Sequence, residues 1–136
     1  MCSYIEEIIA MVDEALQNIR VLLGISNYQV VNNFTHTLNR HGYTNVADTS
    51  QYNDVLEAVA EDSVDLLVCD TSLEDRCVSE ILYKIRHHEI GNNPFLIVII
   101  LSSEFGPMTI NKFINNGVSD ILVSPVSSSH LLKRIE

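Results

Sequence analysis

The chain is short of positive charge. Its 136 residues include 8 Lys and Arg against 18 Asp and Glu, which gives a formal net charge of -10. Binding to nucleic acid or to an anionic membrane needs clustered basic side chains, so this shortage argues against both partners. An acidic surface suits a basic protein partner, although it does not identify one.

Long hydrophobic runs and paired cysteines are also missing. The longest apolar run, residues 95–101, is too short to cross a bilayer. The N-terminus carries Glu6 and Glu7 instead of the basic region of a secretory signal. The three cysteines form no C-x-x-C pair, and Cys69 lies in an apolar run, where a free thiol behaves as a small hydrophobe. These absences predict a reduced protein in the cytoplasm.

The sequence does contain a regular alternation of short apolar runs with segments of helical periodicity. Such alternation predicts an α/β fold with a doubly wound, five-stranded parallel sheet. The predicted strands cover residues 20–24, 46–47, 64–69, 95–101 and 121–123. The predicted helices cover residues 27–40, 50–61, 78–88, 107 to about 116, and 127 onward. Asn27 and Ser50 are the predicted N-caps of the first two.

An additional helix is predicted before the first strand. Ser3 and Glu6 have the spacing of a capping box, and apolar residues recur at positions 5, 8, 12, 15 and 19. We therefore divide the chain into an N-terminal amphipathic helix, residues 1–19, and one α/β domain, residues 20–136. The last helix stops after two turns at Glu136, so we expect the natural polypeptide to continue.

Asp70 is the most informative residue in the chain. It ends the apolar run of residues 64–69 and is followed by Thr71 and Ser72. This pattern is typical of a buried parallel strand that places one carboxylate at the carboxyl edge of the sheet. Ligands and chemistry are found at that edge in open α/β sheets.

Three segments resemble motifs of one family, the response-regulator receiver domains of the CheY type. Residues 64–70 resemble its third strand with the phosphoacceptor aspartate, and residues 98–103 resemble its fourth strand with the switch hydroxyl. Residues 116–125 resemble the family segment that ends in Lys-Pro. The resemblance covers residues 20–136. It implies the flavodoxin-like strand order 2-1-3-4-5, with Asp70 as phosphoacceptor and Ser102 as switch residue.

The chain departs from this family at the charged positions. Ile25 and Ser26 stand where the family has two adjacent acids that hold Mg²⁺, and Ser124 stands where it has a lysine. Phosphoryl transfer to a carboxylate depends on such cations, which neutralise the transferring oxygens. We therefore expect no bound cofactor and at most weak Mg²⁺ binding, for which Asp70 and Glu104 are the candidate ligands.

Other chemistry-bearing residues do not form a predicted site. Glu74 and Asp75 lie in the loop after the third strand, where a solvated position is the simpler interpretation. The adjacent His87 and His88 point in different directions on a helix, unlike the i, i+4 pairs of metal sites. The sequence has no G-x-S-x-G elbow and no phosphate-binding glycine loop. We therefore do not expect an enzyme.

The resemblance and the departures together predict an atypical receiver domain that works by protein contact, with weak or absent phosphoryl switching. The alternative is a working phosphorelay acceptor in which a histidine kinase phosphorylates Asp70. A third interpretation is a small-molecule sensor that uses the pocket left by the missing charges. Expected partners are a histidine kinase or a downstream signalling protein. The N-terminal helix is expected either to form a homodimer or to dock on such a partner.

Overall fold

The computed structural model describes residues 2–103, 107–123 and 126–135, with side chains for all of these except residues 2, 3 and 13. In chain order the elements are α1 (Cys2–Gln17), β1 (Val21–Gly24), α2 (Tyr28–Arg40), β2 (Val46–Thr49), α3 (Tyr52–Ala60), β3 (Leu66–Asp70), β4 (Ser72–Leu73), β5 (Arg76–Cys77), α4 (Ser79–Arg86), β6 (Ile97–Ser102), α5 (Pro107–Asn115), β7 (Asp120–Val123) and α6 (Ser128–Ile135).

Five parallel strands form the central sheet in the order β2-β1-β3-β6-β7. Counted by themselves these strands have the order 2-1-3-4-5, so the predicted fold class and strand order are confirmed. Gly24 at the end of β1 lies beside Thr49 and Cys69, and Asp70 at the end of β3 lies beside Leu101. The carboxyl ends of the central strands therefore meet at one edge of the sheet.

Helices cover both faces of the sheet, as a doubly wound fold requires. One core contains buried side chains of α3, α4 and α5. The other, which we call the α2–α6 core, is centred on Phe34, Leu38, Leu131 and Leu132. Because both faces are covered, β3 is buried from Leu66 to Cys69, which explains its continuous apolar run.

The predicted N-cap is confirmed for α2 and is wrong for α3. Asn27 is the N-cap of α2, and its side-chain oxygen accepts two N–H groups of the first turn, as expected. The predicted cap at Ser50 is wrong, because α3 has Gln51 at its N-cap and no side-chain capping bond from it. Instead the N–H of Tyr52 donates to Oε1 of Glu74 at 2.8 Å. The second cap is thus supplied from a distant part of the chain.

A short antiparallel hairpin, β4 with β5, follows β3 and was not predicted. Its two-residue strands are too short to show an alternating pattern. The turn residues Glu74 and Asp75 both have positive φ, 53° and 63°. Hairpins with a two-residue turn favour such values, but usually with Asn-Gly, so the sequence gives no strong signal here.

Helix α1 extends away from the domain for most of its length. It begins at Cys2, one residue before the predicted cap at Ser3. Every residue from Tyr4 to Val12 is exposed, whereas Leu16 and Ile19 pack against the α2–α6 core. In the described part of the chain, no helix has the length and apolar character needed to cross a membrane.

Candidate functional site

Asp70 lies half-buried at the carboxyl edge of the sheet. It is the last residue of β3, with β1 on one side and β6 on the other. Its Oδ2 accepts the backbone N–H of Ser26 at 3.0 Å. Burial raises the pKa of the Asp70 carboxyl above its ordinary value, and the hydrogen bond from Ser26 partly opposes that rise. The carboxylate therefore has a backbone partner, but its charge is incompletely solvated.

The two positions expected to lack metal-binding acids lie directly beside Asp70. Ile25 is buried in the α2–α6 core at 3% exposure, and its N–H donates to the carbonyl of Thr49 at 3.1 Å. Ser26 is exposed and reaches Asp70 through its backbone. Position 25 therefore offers a hydrocarbon side chain to the core, and position 26 offers at most a hydroxyl oxygen.

Asp70 lines two adjacent cavities of different character. The polar cavity, of about 310 Å³, is lined by Ser26, Asp70, Thr71, Ser72, Leu101 and Ser103. The apolar cavity, of about 290 Å³, is lined by Ile25, Asn27, Val30, Phe34, Asp70, Leu101 and Val126. Within the described residues, neither lining contains a basic side chain or a second acid. Among the described residues, an anion that enters the polar cavity would thus meet hydroxyl groups and one carboxylate.

Ser102 lies on the strand next to Asp70. It follows Leu101, the register partner of Asp70, and it is itself paired with Val123 of β7. Only 1% of Ser102 is exposed. The sequence predicts both residues at the same edge, and they lie at the ends of adjacent strands. Ser103, which follows β6 and which the sequence does not single out, is the hydroxyl residue of this strand end that lines the polar cavity.

Of the remaining predicted site residues, those that the structure describes add no charge to this edge. Ser124 and Glu104 lie outside the described residues. Glu74 binds the N–H of Tyr52 at the start of α3 and lines neither cavity beside Asp70. Over residues 2–103, 107–123 and 126–135 there is no group of three or more His, Cys, Asp or Glu residues that could hold a metal ion.

The ion pairs of the described chain lie at the opposite, amino edge of the sheet. Nε of Arg20, just before β1, is 3.0 Å from Oδ2 of Asp65, just before β3. Arg134 pairs with Asp120 at the start of β7, with 2.6 Å between Nη1 and Oδ2. These arginines are separated from Asp70 by the length of the strands. The described residues therefore place no countercharge against Asp70.

Comparisons with known proteins agree on the fold. A family model described as the response regulator receiver domain matches residues 26–136. No curated protein matches the chain. Among solved structures, a CheY-like receiver domain protein of Methanospirillum hungatei is 20% identical with a TM-score of 0.75, over 86% of this chain and 90% of that one.

Two further structures extend this comparison. The chemotaxis response regulator CheY4 of Vibrio cholerae is 20% identical with a TM-score of 0.75, over 86% of this chain and 95% of that one. An orphan response regulator of Helicobacter pylori is 20% identical with a TM-score of 0.72, over 87% and 93%. At this level of identity the structural likeness shows the fold alone, whereas the family match spans most of the chain.

Proposed function

Because the chain belongs to the response regulator receiver family of two-component signalling, we propose that it is an atypical receiver that acts by protein contact, with weak or absent phosphoryl switching. One observation carries this proposal: the cavity that holds Asp70 contains no second carboxylate and no basic side chain among its described lining residues. The expected partners are a histidine kinase or a downstream signalling protein.

The chemistry of phosphoryl transfer explains why this observation matters. Moving a phosphoryl group onto Asp70 brings two anions together, and catalysis is almost wholly electrostatic. Magnesium needs oxygen ligands, usually one or two carboxylates with phosphate oxygens and water. Loss of a single positioned donor can raise a barrier by about 3–4 kcal/mol. A site with Ile25 and Ser26 in place of the acid pair therefore supports slow transfer at best.

Burial of Asp70 also disfavours phosphoryl transfer to this residue. The raised pKa shows that the folded protein disfavours the charged carboxylate, which is the nucleophilic form. In a site with bound Mg²⁺ the cation would offset that burial. Here the backbone N–H of Ser26 is the compensating group that the described residues supply. We therefore assign no catalytic role to the chain and treat it as a binding module.

The alternative is a working phosphorelay acceptor, and it also has a specific observation in its favour. Asp70 lines an open polar cavity, and Ser102 ends the neighbouring strand. A phosphoryl group on Asp70 would have space in that cavity. Under this alternative a histidine kinase donates the phosphoryl group and Ser102 turns toward it. A signalling output unchanged by Asp70→Ala would exclude this function.

Amide NMR of the full chain separates the two functions. Spectra are recorded without additive, with millimolar Mg²⁺, and with Mg²⁺ plus beryllofluoride, which imitates an aspartyl phosphate. We expect no saturable shift at Ser26, Asp70 or Ser102. Saturable shifts that begin at these residues and extend into α5 would contradict the proposal and support the phosphorelay acceptor.

Asp70→Asn is the matched control for this experiment. The net charge of -10 lets Mg²⁺ associate loosely with surface carboxylates, so some shifts will be unrelated to the site. Such shifts persist in Asp70→Asn, because that variant changes one side chain and retains an oxygen that accepts the Ser26 N–H. Only shifts that disappear in the variant report binding at Asp70.

A further inference from the structure

Helix α1 presents an apolar face that the rest of the described chain does not cover. Six large apolar side chains on its first three turns are between 46% and 70% exposed: Tyr4, Ile5, Ile8, Ile9, Met11 and Val12. Together they expose on the order of 600 Å² of apolar surface, the upper limit of what soluble monomers usually show. Such a patch usually marks an interaction site.

The contacts at the end of α1 leave this face exposed. Leu16 and Ile19 pack on the α2–α6 core and fix the end of α1. The helix continues unbroken to Gln17, and β1 begins at Val21. Only three residues separate the helix from the strand, and every residue from 4 to 12 is exposed. No described residue of this copy covers the face, so it is available to a partner.

The charges of α1 are arranged for pairing with an identical helix. In a heptad with Ile5 and Val12 at position a, Ile8 falls at d and Ile9 at e, while Tyr4 and Met11 fall at g. The acidic residues, at positions 6, 7, 13 and 14, all fall at b or c, away from this seam. Two such helices can meet without opposing like charges across the seam.

We propose that α1 packs against α1 of a second copy of this chain, so that the protein forms a homodimer through its N-terminal helices. An isologous pair matches each apolar side chain with the same surface on the partner. Burial of both patches removes on the order of 1,200 Å² from water, which is the lower limit for a specific interface. The interface is therefore small, and formation of the dimer depends strongly on protein concentration.

The same features argue against other occupants. No basic residue lies on α1, and its polar face is acidic, so an anionic membrane would repel the helix. The seam carries no charge of either sign and so does not select a charged partner. An antiparallel pair also places the two acidic domains at opposite ends of the helices, which limits their repulsion.

Sedimentation equilibrium of the full chain tests this proposal, with reductant present so that the exposed Cys77 cannot link copies. Concentrations from about 1 µM to about 500 µM cover the affinity expected of so small an interface. We expect the mass to rise from 15.3 kDa toward twice that value. A mass that stays at 15.3 kDa at the highest concentration would overturn the proposal.

Two lysine substitutions locate the interface. Ile8→Lys puts a charge into the seam and should raise the dimer dissociation constant at least tenfold. Ala10→Lys adds the same charge at position f, on the opposite face, and should change it less than twofold. Both residues are exposed, so neither change disturbs the domain, and lysine is a good helix former. Circular dichroism checks that the helix content is equal.

Dilution followed by amide NMR gives an independent test. If α1 pairs with α1, the concentration-dependent shifts are confined to residues 4–12 and their immediate neighbours. A dimer that survives Ile8→Lys, or whose shifts map to another element, would show that the copies meet through a different surface and would refute the proposal.

Discussion

At the scale of single residues, Asp70 makes the fold less stable at neutral pH. Burial raises its pKa above the ordinary value of 3.8 that it has in the unfolded chain. Between these two pKa values the native state binds more protons, so stability falls as pH rises through that window. This loss of stability persists at every higher pH, because the folded protein must then bury the charged carboxylate of Asp70.

Asp70→Asn should therefore raise the melting temperature at pH 7, and the gain should shrink toward pH 4. The neutral amide retains an acceptor for the Ser26 N–H. Thermal unfolding by circular dichroism from pH 4 to pH 8 measures this dependence. A gain of the same size at both ends of the range would mean that packing, and not ionisation of Asp70, controls the effect.

Asp65→Asn provides a control in which the effect on stability at neutral pH has the opposite sign. The hydrogen bond from the Arg20 guanidinium holds the pKa of the Asp65 carboxyl below its ordinary value. A lowered folded pKa contributes stability above the unfolded pKa, and that stability is lost as pH falls. This pair is exposed, so Asp65→Asn should lower stability at pH 7 by less than about 1 kcal/mol. The difference from wild type should disappear in acid.

At the scale of elements, the β4–β5 hairpin is an N-terminal cap for α3. Its turn residue Glu74 accepts the N–H of Tyr52, the first residue of α3. A second contact joins the hairpin to α3, because the guanidinium of Arg76 in β5 lies 3.7 Å from the centre of the Tyr52 ring. The Tyr52 hydroxyl donates to Oε2 of Glu80 in the following helix α4 at 3.2 Å. The hairpin therefore fixes the position at which α3 begins.

Glu74→Ala should lower the free energy of unfolding by about 1 kcal/mol, the usual effect of removing a helix cap. Asp75→Ala is the matched control, because Asp75 is the neighbouring acid in the same turn and also has positive φ. It should change stability much less. Urea unfolding measures both variants, and equal losses would mean that the strained turn, not the cap, determines the effect.

The caps of α2 and α3 differ in whether they could be predicted from the local sequence. Asn27 binds N–H groups two and three residues ahead, so its role could be predicted from the sequence alone. Glu74 is 22 residues from Tyr52, and only the folded sheet brings them together. The same distinction applies to the site: the alternation of apolar runs predicts the sheet edge at Asp70, but not the hydroxyl of Ser103 or the separate apolar cavity.

At the scale of the whole molecule, compensating charges are concentrated at one edge of the sheet. The pairs Arg20–Asp65 and Arg134–Asp120 lie at the amino edge, whereas Asp70 stands without a countercharge in the described part of the carboxyl edge. A half-buried carboxylate that has one backbone hydrogen bond and no described countercharge is difficult to explain by stability alone. Open α/β sheets commonly bind ligands at that edge.

Two truncated chains can test where the N-terminal helix ends and the α/β domain begins. The sequence predicts a division at residues 19 and 20, but Leu16 and Ile19 pack on the α2–α6 core, and Leu16 lies against Gly42. A chain that starts at Glu14 should keep the wild-type stability, because the removed side chains that the structure describes are exposed.

A chain that starts at Arg20 should lose about 2 kcal/mol, because it loses two partly buried aliphatic side chains. Urea unfolding at low micromolar concentration compares the two truncations while dimer formation is minimal. Equal stability of both chains would place the boundary at residue 19, as the sequence predicts. A loss confined to the shorter chain would make the last turn of α1 part of the domain and leave residues 4–12 as a separate arm for self-association.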